Sequence, residues 1–245
     1  MKKYYFTIAS ILYFALLSCS NEETKTQTQV ALRPTVPILD RTVNDIDGNI
    51  YKIVTLDNQT WTKSNLNVSR YRNGDPIPQV TDPTQWGNLT TGAWCYYNND
   101  PANGIIYGKL YNWFAVNDPR GLAPVGWHIA SDAEWTMLTT FLGGTPIAGG
   151  KMKATGMLTS GTGLWVNPNT AATNSSGFTG LPGGTRSYTG GWGKVNIGFY
   201  GEWWSSTQSS FIQYAYGRYL NYNDGNVDDY DDLKGFGKSV RCLRD

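Results

Sequence analysis

The densest run of candidate ligating residues is the acidic stretch Asp224-Gly225-Asn226-Val227-Asp228-Asp229-Tyr230-Asp231-Asp232. Ca²⁺ binds roughly six to eight oxygen atoms, which the carboxylates, amides and backbone carbonyls of a loop can supply. The spacing of the acidic residues is not that of an EF-hand. The stretch therefore predicts either a calcium site or a solvated acidic hairpin loop. The candidate calcium ligands are Asp224, Asn226, Asp228, Asp229 and Asp231.

Aromatic side chains close to this stretch offer a second route to binding. The faces of Tyr and Trp rings stack on sugar rings and bury a large area at a low cost in conformational entropy. Packing in a core or on a sheet face explains such residues equally well. The candidate ligand-binding residues are Trp192, Tyr214, Tyr216, Tyr219 and Tyr222.

Catalytic arrangements have weaker support. His128 is the sole histidine and comes just before a predicted helix, a context typical of a structural residue. Ser205-Ser206 lacks the flanking glycines of a nucleophile elbow. Asp132, Glu134 and Glu202 could converge as paired carboxylates for glycoside hydrolysis, but Glu134 is already committed to a helix cap. We therefore assign no catalytic residues.

Cys95 and Cys242 form an even pair in what reads as an exported chain, where oxidation is permitted. A disulfide between them is the natural interpretation, and in the chain-entropy model it would stabilise the fold by about 4–5 kcal/mol. Two buried free thiols are the alternative. A zinc or copper site would need more thiol or imidazole ligands than the chain offers.

The first residues of the chain predict lipidation. Lys2-Lys3 precedes an apolar segment, residues 7–17, that is too short to span a bilayer, and Leu16-Leu17-Ser18-Cys19 looks like a lipobox. We expect residues 1–18 to be a lipoprotein signal peptide and Cys19 to carry the acyl chains that enter the outer membrane. An ordinary cleaved signal or a short anchor is the alternative. Ser20-Asn21-Glu22-Glu23 resembles the acidic tag of surface-exposed lipoproteins in Bacteroidetes-type bacteria.

Composition supports one folded domain behind a tether. Residues 19–40 are rich in Thr, Gln, Glu and Pro and bury too little apolar surface to fold, so residues 41–245 are the predicted domain. Aromatic residues make up 14% of the chain and charged residues 16%, which suits short strands with many loops. Without Lys2 and Lys3, 18 of the 20 basic residues remain against 19 acidic ones. This balance removes the electrostatic case for nucleic-acid binding.

One helix is predicted with particular clarity. Ser131 followed by Glu134 is a capping box that starts a helix at Ser131. Gly143-Gly144 can adopt the left-handed backbone conformation that caps the C-terminus of a helix. Trp135, Leu138, Phe141 and Leu142 recur at helical spacing and form its predicted buried face.

Weaker patterns predict the remaining elements. Alternating and turn residues predict early strands over 42–45, 51–56 and 59–61 and late strands over 214–222 and 239–244. Leu110, Trp113 and Phe114 recur at helical spacing and predict a first helix that ends at Val116. Residues 65–92 read as a long ordered loop pinned by Tyr71 and Trp86.

Four motifs, taken together, resemble a known family: Gly126-Trp127-His128 with Ser131-Asp132-Ala133-Glu134-Trp135, Leu181-Pro182-Gly183-Gly184 with Arg186, Trp203-Trp204-Ser205-Ser206-Thr207, and Ser239-Val240-Arg241-Cys242. Their order is similar to that of the Fibrobacter succinogenes major paralogous domain family. Ala130 stands where that family usually has Pro, and Lys238 where it often has an aromatic residue.

The helix motif and the last strand are also similar to C-type-lectin-like domains. This likeness implies an α+β fold with two main helices packed on short twisted antiparallel strands with long loops. In such domains a disulfide ties the helix region to the terminal strand, as one between Cys95 and Cys242 would. The resemblance implies an architecture and an envelope location rather than a reaction.

From these observations we expect a lipid-anchored binding module on the cell surface of a Bacteroidetes-like bacterium. It would recognise a glycan or protein ligand through loops between Thr145 and Asp232, without catalysis, and calcium is the one cofactor suggested. The alternatives are an envelope enzyme acting on polysaccharide and a structural subunit of a surface complex.

Overall fold

The computed structural model describes residues 42–192 and 197–245. The strands in these residues are β1 (Thr42–Asn44), β2 (Ile50–Leu56), β3 (Gln59–Thr62), β4 (Trp94–Cys95), β5 (Leu110–Tyr111), β6 (Trp127–Ile129), β7 (Tyr200–Gln208), β8 (Tyr214–Asn221), β9 (Asp228–Leu233) and β10 (Cys242–Arg244). The α-helices are α1 (Pro83–Gly87), α2 (Pro101–Tyr107), α3 (Trp113–Val116), α4 (Asp132–Phe141) and α5 (Thr145–Met152). The predicted signal peptide, Cys19 and the tether lie outside the described residues.

The largest sheet joins residues from both ends of the domain. Its five strands are ordered β1-β2-β3-β10-β6, and each neighbouring pair is antiparallel. Within β10, Leu243 is paired with Trp61 on one side and His128 on the other. The last strand therefore lies between two strands that come much earlier in the chain.

Two smaller sheets complete the β structure. Strands β4 and β5 form a short antiparallel pair, and β7, β8 and β9 form a three-stranded antiparallel meander. Ser239 forms an isolated bridge with Trp203, so the segment that leads into β10 lies along β7. This contact brings residue 238 close to the meander.

Helix α4 begins as its sequence predicts. The Ser131 hydroxyl accepts a hydrogen bond from the Glu134 N–H, and Glu134 Oε2 accepts one from the Ser131 N–H at 2.7 Å, so the capping box is present. Gly143 and Gly144 follow with φ of 104° and 88°, the left-handed region that favours glycine. The predicted start and end of this helix are confirmed.

The buried face of α4 carries the densest aromatic packing. Trp135 lies 4.7 Å from Trp61, 5.7 Å from Phe178 and 6.3 Å from Trp203, measured between ring centroids. Leu138 and Leu142 are buried on the same face, whereas Phe141 is 52% exposed. The helix thus packs on both main sheets, and the prediction for Phe141 is wrong.

The predicted fold class is also wrong. The structure is mostly β, with three antiparallel sheets and a curled half-barrel, and 20% of it is helical. The α+β, C-type-lectin-like arrangement of two main helices is therefore not what the chain adopts. The predicted first helix is reduced to the four residues of α3, because Leu110 belongs to strand β5.

Other elements match their prediction. The three early strands are present, and β8 covers nearly all of the predicted strand over 214–222. The connection over 65–92 holds the single short helix α1, and it is pinned by Tyr71 and Trp86, which are 0% and 1% exposed. None of the helices in the described ranges is long and apolar enough to cross a membrane.

Candidate ligand-binding site

The open face of the β7-β8-β9 meander carries a concave group of polar and aromatic side chains. In strands, alternate residues share a face, and the register pairs Tyr200 with Asn221 and Glu202 with Tyr219. The resulting cavity has a volume of about 270 Å³. We call it the meander site, and its lining residues are Tyr200, Glu202, Tyr219, Asn221, Tyr230 and Asp232.

Lys238 forms the floor of the meander site. Its ammonium donates hydrogen bonds to Glu202 Oε2 at 2.8 Å, to Asp232 Oδ2 and to the Tyr230 hydroxyl. The lysine side chain is 0% exposed, whereas those of Glu202 and Asp232 are 14% and 31% exposed. Because one buried cation holds both carboxylates, their positions are fixed before any ligand arrives.

Tyr230 completes this network as a neutral phenol. Its hydroxyl donates to Glu202 Oε2 at 2.8 Å. Burial of the hydroxyl, together with the charges of Glu202 and Asp232, raises the pKa of Tyr230 well above 10. The hydroxyl therefore keeps its proton at neutral pH.

The wall of the site is aromatic. The ring of Tyr219 lies edge-on to the rings of Tyr230 at 5.4 Å and Tyr200 at 6.4 Å. The Tyr219 hydroxyl is hydrogen-bonded to Asp228, and burial raises the pKa of both groups. The rings of Tyr200 and Tyr219 remain partly exposed, so their apolar surface is available to a ligand.

Asn221 supplies an acceptor that the protein leaves unused. Its side-chain oxygen is buried and has no hydrogen-bond partner. Its backbone carbonyl accepts a hydrogen bond from the buried ammonium of Lys153 at 2.8 Å, which holds the end of β8 in place. An unpaired buried acceptor costs free energy unless a ligand or water satisfies it.

Of the five predicted ligand-binding aromatics, Tyr219 alone lines the meander site. Tyr214 and Tyr216 alternate to the opposite face of β8. Trp192 lies 5.3 Å from the ring of Tyr97 and packs on a separate cluster. Tyr222 packs edge-on against Phe199 at 5.1 Å.

The acidic stretch is an ordered strand rather than a loop from Asp228 onward. Asp229 and Asp231 alternate to the face opposite Asp228, and Asp231 accepts a hydrogen bond from Ser209. Asp224 caps the preceding turn by accepting from the Asn226 N–H at 2.9 Å. In residues 42–192 and 197–245, no group of three or more His, Cys, Asp or Glu side chains could hold a metal ion. Calcium binding thus stays a prediction from sequence, and the structure does not gather its five proposed ligands.

The expected disulfide is absent. Cys95 and Cys242 are both buried free thiols. Cys95, in β4, packs in one hydrophobic cluster, whereas Cys242, in β10, belongs to a different one. Burial raises the pKa of the Cys95 thiol to about 12 and raises that of Cys242 as well. The alternative interpretation, two buried free thiols, is the one the structure supports.

Sequence reasoning missed most of this site. Tyr200, Tyr230, Asp232 and Lys238 were not among the candidate residues, although Lys238 pairs with both carboxylates of the site. The period-two alternation of Asp228, Tyr230 and Asp232 was the signal that could have revealed a strand face. No sequence pattern indicates the contact with Lys238, because it depends on the path of the chain into β10.

The family model described as the Fibrobacter succinogenes major domain matches residues 54–244. No curated protein matches the chain, and no solved structure matches it.

Proposed function

This chain belongs to the Fibrobacter succinogenes major domain family, and on that premise we propose that it is a non-enzymatic binding module of the cell surface. It would be anchored in the outer membrane through acylated Cys19, and the meander site would recognise a glycan. The single observation that carries this proposal is a preformed, tyrosine-walled concavity with acceptor groups held rigidly at its floor.

The chemistry of the site suits a sugar better than an apolar ligand. Partly exposed rings of Tyr200 and Tyr219 can stack on a pyranose face, while Glu202 and the Asn221 oxygen can accept hydrogen bonds from hydroxyl groups. A volume of about 270 Å³ lies just below the range of small-molecule sites, which begins near 300 Å³. The site would therefore hold one sugar unit of a longer chain.

The two carboxylates are poorly arranged for glycoside hydrolysis. That reaction needs two carboxyl groups that flank the scissile bond of the substrate. Glu202 and Asp232 both contact the ammonium of Lys238, so a cation of the protein lies between them where the scissile bond would have to be. This arrangement favours binding over catalysis.

The proposal is tested with the full-length protein, purified in mild detergent, on a glycan array and in polysaccharide pull-downs run with Ca²⁺ and with chelator. Tyr219→Ala should weaken capture by about tenfold or more, because the stacking surface is lost. Tyr216→Ala removes a tyrosine from the opposite face of the same strand and is the matched control. It should bind as the parent does.

Three results would contradict the proposal. The first is a failure of the protein to capture any glycan, and the second is equal capture by both tyrosine variants. The third is turnover of a polysaccharide that disappears in Glu202→Gln, which would make the protein an enzyme. Capture of an envelope protein without glycan would instead support the protein-ligand alternative.

A further inference from the structure

The meander site presents negative charge to an approaching ligand. Its floor cation, Lys238, is 0% exposed, while Glu202 and Asp232 are 14% and 31% exposed. A ligand therefore meets the carboxylates and not the ammonium that neutralises part of their charge. Because Lys238 is one positive charge between two negative ones, the trio itself keeps a net charge of −1.

Neighbouring groups deepen this negative potential. Asp228 is hydrogen-bonded to Tyr219 at the rim, and the charges of Asp224 and Asp229 add to burial in raising the pKa of Asp228. The other nearby cation, Lys153, is 0% exposed and is bonded to the backbone carbonyls of Asn221 and Asp224. Across the parts of the site that the structure describes, the lysines are thus buried and the carboxylates reach solvent.

The hydrogen-bonding groups point to the same kind of ligand. The Asn221 side-chain oxygen is a buried acceptor without a partner. Lys238 engages one oxygen of Glu202 and one of Asp232, so the second oxygen of each carboxylate lies outside these bonds. The Tyr230 hydroxyl is already used as a donor to Glu202. Glu202, Asp232 and Asn221 therefore offer open acceptor positions, which favour a ligand rich in donors.

We propose that the meander site selects a sugar unit carrying a free, protonated amino group. This inference rests on the proposed glycan-binding function and specifies its ligand class. An ammonium has three N–H donors and a positive charge for the carboxylates, and it gains further attraction from the faces of tyrosine rings. An N-acetylated sugar lacks the charge, and a uronic acid would be repelled by Glu202 and Asp232.

The test uses three oligosaccharides of equal length with the full-length protein: β-linked glucosamine, its N-acetylated form and neutral β-linked glucose. Titration calorimetry at about pH 6 keeps the sugar amines protonated. The glucosamine oligomer should bind at least about tenfold more tightly than either of the others. That advantage should shrink as salt is raised, because the attraction is between charges.

Variants separate the charge effect from damage to the fold. Asp228→Asn, at the rim and not bonded to Lys238, and Glu202→Gln should each reduce the preference for the amino oligomer while leaving the circular dichroism spectrum unchanged. Asp231→Asn is the control, because it removes a carboxylate of the same strand that lies on the opposite face, where it accepts a hydrogen bond from Ser209. It should keep the preference.

The outcomes distinguish the two proposals. Equal affinity for all three oligosaccharides would overturn the amino-sugar inference and leave glycan binding intact. Binding to none of them, with a silent glycan array, would overturn both. Tight binding of a lysine-rich peptide without any oligosaccharide would also overturn this inference, since the ammonium would then belong to a protein.

Discussion

Lys238 Nζ lies 2.8 Å from Glu202 Oε2 and also forms an ion pair with Asp232, and the lysine side chain is fully buried. Replacing this lysine with methionine leaves Glu202 and Asp232 without their counter-ion. Breaking a buried pair typically costs about 3–5 kcal/mol, and we expect the lower end because both carboxylates keep some contact with water. Urea denaturation of Lys238→Met measures the loss in the free energy of unfolding.

A double-mutant cycle isolates the pair itself. Glu202→Gln combined with Lys238→Met should cost less than the sum of the two single variants, with a coupling of about 0.5–3 kcal/mol. Strictly additive losses would show that Lys238 stabilises the fold by packing alone.

The helix face gives a second prediction. Trp135→Ala should lower the free energy of unfolding by about 3–5 kcal/mol, because the ring is fully buried among Trp61, Phe178 and Trp203. Phe141→Ala, on the same helix but 52% exposed, should stay within about 0.5 kcal/mol of the parent. Comparable losses in the two variants would contradict the packing described for α4.

His128 predicts a pH dependence. Its Nδ1 lies 2.7 Å from Asp245 Oδ1 and its Nε2 lies 3.0 Å from Glu134 Oε1. Burial by itself lowers the pKa of His128, but these two hydrogen-bonded carboxylates outweigh it and raise that pKa above 6.5. The folded state therefore holds the proton more tightly than the unfolded state does.

Protonated His128 therefore stabilises the folded state, and the size of this stabilisation depends on pH. The stabilisation is complete below about pH 6.5 and is lost as the pH rises through the folded pKa. For a ring 38% exposed, we expect a loss within about 0.2–1 kcal/mol. The measurement is the parent minus His128→Gln difference in stability between about pH 6 and 8. A difference that grows with pH would contradict the assignment.

The buried thiols give a fourth prediction. Because burial raises the pKa of Cys95 to about 12 and raises that of Cys242, neither thiol ionises at neutral pH. Both should resist iodoacetamide in the native protein and react once it is unfolded in guanidinium. Reducing agent should leave the melting temperature unchanged. Non-reducing peptide mapping that recovers a peptide joining the two cysteines would refute this.

The predicted anchor is tested in cells. Cys19→Ala should abolish incorporation of labelled fatty acid and release the protein from the membrane fraction, because the acylated residue is lost. Ser18→Ala, which keeps a small residue beside the cysteine, is the control and should remain labelled. Labelling that persists without Cys19 would exclude the lipoprotein interpretation.

Local signals in the sequence predicted local structure well. The cap at Ser131 and the glycines after Phe141 define the ends of α4 because each depends on residues a few positions apart. Phe141 was wrongly placed in the core. At about 100° per residue it lies about 120° around the helix from Trp135, outside the stripe that Leu138 and Leu142 share with that residue.

The sheet arrangement and the binding site were beyond such reasoning. Asp is depleted in strands, so the run from Asp228 to Asp232 read as a loop, although an edge strand tolerates charged residues. The meander site depends on three segments around residues 202, 230 and 238 that meet only in the folded chain. Secondary-structure propensity and residue spacing do not predict which distant segments of the chain come into contact.

The position of β10 constrains how the domain can be made. Until residues 242–244 leave the ribosome, β3 and β6 each lack the neighbour that Leu243 provides between Trp61 and His128. During synthesis, the unpaired backbone N–H and C=O groups of these two strands would be free to pair with strands of other chains. Completion of this sheet must therefore wait for residues 242–244 to emerge, and their loss would leave a chain prone to aggregate rather than a slightly weakened domain.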